Sequence, residues 1–355
     1  MKKNFTLLLC LTFLAFSGTI YAQVVTNGDD SGDGSLRQEI IDTPAGGTIT
    51  FDPGVTTVTI SSGDLDIDKD LTIEGPASGN IVIDANDTSR IFNITGGTVV
   101  LTNLDITDGT AVQGGGIYIT NADVTINTST INDNVADGDT TSSGGGIYLD
   151  AGSSLVINDC EINGNSANRA GGGIEDNTGA GLALIINTVR MESNSAGPTP
   201  GNGGAIHITG AGDSTITNAQ LIFNTATSEG GGLWNGTGQM NIRSSEITSN
   251  VAGGDDSDNG GGGIFNNGGN IDIRLNSSVS NNQASGISGS GGGLFSVSGT
   301  LVFDRVLFEG NSANRAGGAI EMVNGTFNSF YLDLFGNDVN GTAGIPNPGN
   351  GGGFH

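Results

Sequence analysis

Two short signatures alternate from residue 114 to the end of the chain, and repetition at this interval dictates stacking. The first is Gly-Gly-Gly or Gly-Gly-Ala followed by a large apolar residue, at Ile117, Ile147, Ile174, Ile206, Leu233, Ile264, Leu294, Ile320 and Phe354. Successive spacings are 30, 27, 32, 27, 31, 30, 26 and 34 residues. The second is an apolar residue, two others, then asparagine, ending at Asn134, Asn165, Asn194, Asn224, Asn250, Asn282, Asn311 and Asn337. The signatures keep step through eight cycles, so the unit is a coil of about thirty residues.

Each cycle has internal order. Five residues before the apolar member of the second signature stand Ile126, Ile157, Ile186, Ile216, Ile242 and Phe303, with Arg274 and Ser329 breaking the column. Two residues before it come Ser129, Cys160, Val189, Ala219, Ser245, Ser277, Val306 and Leu332, small or apolar as an inward site in a narrow core requires. This period-2 alternation marks strands with one buried face. A unit this short cannot bury its own apolar face, so identical coils must stack about 4.8 Å apart in parallel ladders. Like residues then lie on like: two aliphatic columns, and between them an asparagine ladder that can satisfy backbone groups at a turn. The glycines supply left-handed backbone and close approach at the opposite corner. The expected fold is all-β, a right-handed parallel β-helix.

Composition supports this. Glycine accounts for 63 of 355 residues, too many for helices, while 35% hydrophobic residues in ordered patterns are too many for disorder. Lys2 and Lys3 precede an apolar run from Phe5 to Phe16, and Ile20-Tyr21-Ala22 fits a cleavage site, so residues 1–22 read as a signal peptide. Without its two leader lysines the chain keeps nine Lys and Arg against 37 Asp and Glu, a net charge of −28. That excess argues against nucleic acid and anionic membranes as partners. No segment is long and apolar enough to span a bilayer. With Cys10 in the leader, Cys160 remains alone, so stability must come from packing rather than a disulfide.

The ends of a β-helix expose open ladders, an aggregation hazard unless capped. Residues 23–110 read as an N-terminal cap and the first coils. Ser35-Leu36-Arg37-Gln38 has a capping-box pattern, and Leu36, Ile40 and Ile41 give the short helix an apolar side. Strands are expected at 48–51, 55–60, 71–73, 81–83, 91–94 and 99–106. The segment Val99 to Gly109 matches Val124 to Asn134, with Gly109 in place of the ladder asparagine. Residues 111–355 carry the repeats and stop inside a coil, with Gly349 to His355 matching Gly201 to His207. The expectation is a fragment whose further coils and anchoring region lie beyond His355.

Phe308-Glu309-Gly310-Asn311 and Gly317-Gly318-Ala319-Ile320 resemble the repeat of polymorphic outer-membrane proteins. The stretches Val25-Thr26-Asn27, Gly34 to Gln38 and Ile49 to Asp52 are similar to the start of many bacterial β-helix surface proteins. The resemblance implies an extracellular or outer-membrane-associated location. It also implies adhesin relatives held by a C-terminal barrel or sorting domain.

Three candidate chemistries follow. The residue after each apolar member of the glycine signature forms a column: Tyr118, Tyr148, Glu175, His207, Trp234, Phe265, Phe295, Glu321 and His355. If the preceding residues point inward, these point outward, and exposed aromatics could bind sugar rings or a partner protein. The candidate binding residues are Tyr118, Tyr148, His207, Trp234, Phe265 and Phe295; the alternative is that they pack on one another under loops. Calcium is the second candidate, at Asp29 and Asp33 in an Asp-x-Ser-x-Asp-Gly run or at Asp255, Asp256 and Asp258, against the plainer reading of solvated turns. Catalysis is the third, and no constellation supports it. Cys160 shares a column with Ser129 and Val189 and reads as a buried thiol. Arg169 and Arg315 fall in a duplicated Gly-Asn-Ser-Ala-Asn-Arg-Ala-Gly-Gly segment and reflect the repeat.

The expected function is a non-enzymatic surface protein, an adhesin or carbohydrate-contacting stalk. It would act as a monomer on a glycan or a host or neighbour-cell surface protein, with no required cofactor. The alternatives are a polysaccharide-active lyase or glycosidase with its site in loops or beyond the C-terminus, and an ice-binding protein built on threonine pairs such as Thr48 and Thr50.

Overall fold

The computed structural model describes residues 22–340 and 349–355. The signal-peptide reading of residues 1–22 lies outside these, apart from Ala22. The chain winds as a parallel β-helix of about eleven turns. A typical coil has four straight segments, shown by the one from Ile117 onward. A glycine arm (Ile117–Ile119) is followed by a long arm (Ala122–Asn127), a third arm (Thr130–Asn132) and a short arm (Val135–Ala136). Every arm pairs in parallel with its counterpart one coil away, as in Ile117↔Ile147, Val124↔Leu155, Ile131↔Ile162 and Ala136↔Ala167. Among the described residues the first three arms belong to a 26-stranded sheet and the short arms to a nine-stranded one.

The core is the inward half of the period-2 pattern. Ile126, Ile157, Ile186, Ile216, Ile242 and Phe303 are all fully buried in one continuous cluster. Burying such a side chain contributes about 1.5–3 kcal/mol. The break at Arg274 is a slip rather than a polar core residue. Ile273 pairs with Ile242 and Phe303 in the core column, and Arg274 pairs with Arg243 on the outer face. One extra residue follows: Leu275 and Asn276 both adopt positive φ, 62° and 60°, where neighbouring coils turn on one such residue, Ser244 or Arg305.

The asparagine ladder is continuous from Asn134 to Asn337. Asn224 shows the pattern: its Nδ2 donates to Met191 O at 3.0 Å in the preceding coil and to Asn250 Oδ1 at 2.9 Å in the next. Its Oδ1 accepts from both the backbone N and Nδ2 of Asn194 at 2.9 Å. One buried side chain thus satisfies four polar groups at a turn. The ladder begins as expected at Gly109, whose N–H donates to Asn134 Oδ1 at 2.9 Å.

The opposite corner is set by contact distance. The first glycine of each signature has φ between 59° and 67°, a left-handed conformation costly for residues with a Cβ. The second admits no side chain: a Cβ on Gly145 would lie 2.3 Å from Ser166 O and 2.4 Å from Gly172 O. The third is looser, and Ala205 and Ala319 occupy it, both fully buried.

The N-terminal cap is a helix, Leu36–Asp42. Ser35 Oγ accepts from the Gln38 backbone N at 3.3 Å, the first half of the capping box. The reciprocal half is replaced, because Gln38 Nε2 donates to Asp42 Oδ2 instead. Leu36 and Ile40 are buried, whereas Ile41 is 65% exposed and does not join the apolar side. The 99–106 strand divides into Gly97–Thr102 and Leu104–Thr107 around Asn103, φ 55°.

Two substitutions test this account by chemical denaturation. Gly145→Ala should cost about 3 kcal/mol or more through backbone overlap, and Gly146→Ala under about 1.5 kcal/mol. Asn224→Ala strands its partners in a dry turn and should cost about 3 kcal/mol. A neutral result at Asn224 would remove the ladder from the stability argument.

Candidate functional site

In each glycine arm the residue after the large apolar one points away from the main core. Register pairing stacks these residues as expected: Tyr118↔Tyr148, Tyr148↔Glu175, Glu175↔His207, His207↔Trp234, Trp234↔Phe265, Phe265↔Phe295 and Phe295↔Glu321. The rings lie nearly parallel. Centroids are 5.6 Å apart for Tyr118 and Tyr148, 4.3 Å for His207 and Trp234, 6.0 Å for Trp234 and Phe265, and 5.2 Å for Phe265 and Phe295.

Of the two readings of the column, exposed or packed under loops, the burial of its rings matches the second. Trp234 is 9% exposed, Phe265 2%, Phe295 1%, His207 2% and Tyr148 6%. Trp234, Phe265 and Phe295 form an apolar cluster of their own with Val297, apart from the main core. Of the six aromatic and histidine candidates, Tyr118 keeps partial access. Side chains from just before the arm lie against two of the rings, Tyr118 and Trp234. Arg90 lies 5.1 Å from the centre of the Tyr118 ring and donates to Asp64 Oδ2 at 2.6 Å. Glu229 accepts from Trp234 Nε1 at 2.8 Å and from Asn259 Nδ2 at 3.0 Å. Tyr118 donates to Asp150 Oδ2 at 2.7 Å, and burial with that carboxylate pushes its phenol up to about 12.

Where the column turns ionic, it does so twice in one arrangement. His207 Nδ1 lies 3.1 Å from Glu175 Oε1 and 3.0 Å from Oε2. Thr209 donates to Oε1 at 2.6 Å, and Arg169 Nη1 stands 3.5 Å from Oε1 while donating to Ser143 Oγ at 3.1 Å. Five coils on, His355 Nδ1 is 2.8 Å from Glu321 Oε2, and Arg315 Nη1 is 3.5 Å from Oε1 and donates to Ser290 Oγ at 2.9 Å. In the sequence the duplicated segment alone does not join Glu175 and Glu321 to the histidines that complete each cluster. The signal was present: Gly201 to His207 and Gly349 to His355 place a histidine next to each glutamate in the stack.

Burial pushes the Glu175 carboxyl up, but the charge and hydrogen bond of His207, with Arg169 and Thr209, outweigh it and hold it below the usual range. Asp176, the next residue, points into the core between its register partners Leu149 and Ile208. Its Oδ1 accepts from the N and Oγ1 of Thr178, its Oδ2 has no partner, and burial raises it. Cys160 is buried, and desolvation raises its thiol to about 11.

The calcium candidates are not brought together. Asp29, Asp33, Asp255, Asp256 and Asp258 are exposed, and among the described residues no three His, Cys, Asp or Glu groups gather as a metal would need. Asp255 Oδ1 instead accepts from Ile287 N at 2.8 Å, tying one loop to the next.

Fold and site together define a parallel β-helix protein with polymorphic-membrane-protein-type repeats. Residues 305–321 match the Chlamydia polymorphic membrane protein repeat. No curated protein matches the chain. Among solved structures it is similar to that of pectate lyase Pel9A, at 13% identity and a TM-score of 0.45, covering 88% of this chain and 79% of that one. No helix among the described residues is long and apolar enough to cross a membrane, which says nothing of β-barrels.

The two neighbouring carboxylates should titrate with opposite effects. Asp176, raised in the folded chain, stabilises it below the ordinary aspartate range, and that contribution is lost as pH rises through the folded value. Asp176→Asn should therefore melt higher than the parent at neutral pH, with the gap closing in acid. Glu175, depressed, stabilises above the ordinary glutamate range, and that contribution is lost as pH falls through the folded value. Glu175→Gln should cost about 3 kcal/mol or more at neutral pH by breaking a buried pair, with the gap narrowing in acid. Thermal melts from acid to neutral pH check both; parallel curves would contradict the assignment.

Proposed function

We propose that this chain is the exported β-helical stalk of a bacterial surface adhesin, a monomer that meets a glycan or a protein on a neighbouring surface. The observation that carries this reading is the continuous parallel pairing of coil on coil from Ala22 to Val339. At about 4.8 Å per coil it makes a stiff rod of roughly 50 Å. The repeat matched at residues 305–321 supports a cell-surface location.

The closed column changes which surface makes contact. Its rings are packing partners, worth about 3 kcal/mol or more each on truncation to alanine. They brace the rod, and contact falls to its open sides. The Glu175–His207 pair is closed to solvent, so it offers no acid or base to a polysaccharide.

The test is adhesion of beads coated with residues 23–355 to cells and to immobilised glycans, with assays of the same polysaccharides for new reducing ends and unsaturated products. Saturable adhesion without cleavage is the expected result. Failure to adhere anywhere would leave a passive stalk, and product formation would replace the adhesin reading with the enzymatic one.

A further inference from the structure

The molecule has a second repeating feature, at the corner where the long arm turns into the third arm. Each coil turns there on a left-handed residue, and the following outward residue stands on the other side of the turn. Coil on coil, these make two walls parallel to the helix axis. The floor between them is the small inward column, Cys160, Val189, Ala219 and Ser245, none more than 3% exposed. The concavity is open, about 440 Å³, over the four coils from Asp159 to Glu246. It resumes at the same corner, with about 330 Å³, over the three coils from Asn276 to Asp333. Seven successive coils therefore form a groove in two stretches, interrupted where Leu275 and Asn276 give one coil an extra turn residue.

We infer that this groove binds a linear, uncharged, hydroxyl-rich glycan laid along the helix axis. The inference rests on the surface-contact reading above and names its ligand class and location.

Three observations carry it. First, the walls present hydrogen-bonding side chains once per coil, such as Thr188 and Asn218 on one side and Glu161 and Gln220 on the other, all exposed. Strand spacing sets their interval at about 4.8 Å, which suits a polymer of repeated rings carrying hydroxyls. Second, the backbone of the third arm is already paired: the N–H groups of Glu161, Arg190, Gln220 and Glu246 donate to Ser129, Cys160, Val189 and Ala219. A peptide therefore finds no free strand edge there to extend, and recognition must run through side chains. Third, the groove is acidic. Asp159, Glu161, Glu246 and Asp333 line it, whereas its arginines are matched: Arg190 pairs with Glu192, and Arg305 pairs with Asp304 at 3.1 Å. Like charge repels nucleic acids and uronic or sulfated polysaccharides, leaving neutral chains.

The experiment is affinity electrophoresis of residues 23–355 in gels containing neutral glucan, mannan, xylan or galactan, with polygalacturonate as the anionic counterpart. Two variants accompany the parent: Glu161→Ala/Gln220→Ala/Glu246→Ala, and Glu161→Lys/Glu246→Lys. All substituted positions are exposed, and circular dichroism melts confirm that each variant folds. The parent should be retarded by at least one neutral polysaccharide and not by polygalacturonate. The alanine variant should lose that affinity by tenfold or more, and the lysine variant should gain retardation by polygalacturonate. Retardation unchanged in both variants would place glycan contact elsewhere and overturn the groove. No retardation of the parent by any neutral polysaccharide would overturn it too. In that case bead adhesion to cells, unchanged by the same variants, would leave the surface-contact reading standing on a protein partner.

Discussion

Coil-to-coil spacing at the two tight corners governs the rest of the molecule. Parallel strands need neighbours at hydrogen-bonding distance, and the corners must let the chain turn without prising coils apart. At one corner this excludes a Cβ: the second glycine of each signature lies against carbonyls of its own and the next coil, as at Gly145 and Gly172. At the other, turning buries backbone groups, and the asparagine side chain supplies their partners from within the wall. The columns of isoleucine follow from these corners, since apolar side chains stack in register only when every coil turns at the same place.

The same register gives the outer column its character. Stacking like on like is favourable for rings, through offset faces, but unfavourable for like charges. Glutamate accordingly occurs singly, each time with a histidine in the next coil and an arginine beside it. The arrangement at Glu175 is repeated at Glu321 with distances within about half an ångström. Because each arginine also bonds a serine of the preceding coil, each cluster bridges three coils. In a solenoid whose stability is a sum of nearest-neighbour terms, such bridges extend cooperativity where the aromatic stack is interrupted.

Legibility in the sequence followed periodicity. The asparagine ladder, the glycine corner and the two aliphatic columns recur at fixed places, and the structure has them there, down to Gly109 as the ladder's first step. The cover over the aromatic column was not legible. Arg90, Arg169 and Glu229 belong to a stretch of variable length before the corner, and only the folded coil shows which of them reaches a ring. Arg274 misled for a related reason: counting back by a fixed number assumed one turn residue, and that coil spends two. The acidic pairs suffered the opposite fate. Asp255 and its neighbours are close in sequence, but their loop is open and Asp255 serves the next loop's backbone.

The acidity itself now has a structural reading. A solenoid presents the same outward positions again and again, so a residue type favoured at one of them becomes a stripe. At the groove the stripe mixes Asp159, Glu161 and Glu246 with Thr188, Asn218 and Gln220, while Arg190 is held by Glu192 on its own strand. A row of unmatched arginines would have made a polyanion site, and a row of leucines a site of aggregation between rods. Carboxylates interleaved with hydroxyls and amides keep the groove hydrated and discourage both outcomes. They leave directional hydrogen bonds as the means by which the proposed groove would engage an uncharged chain.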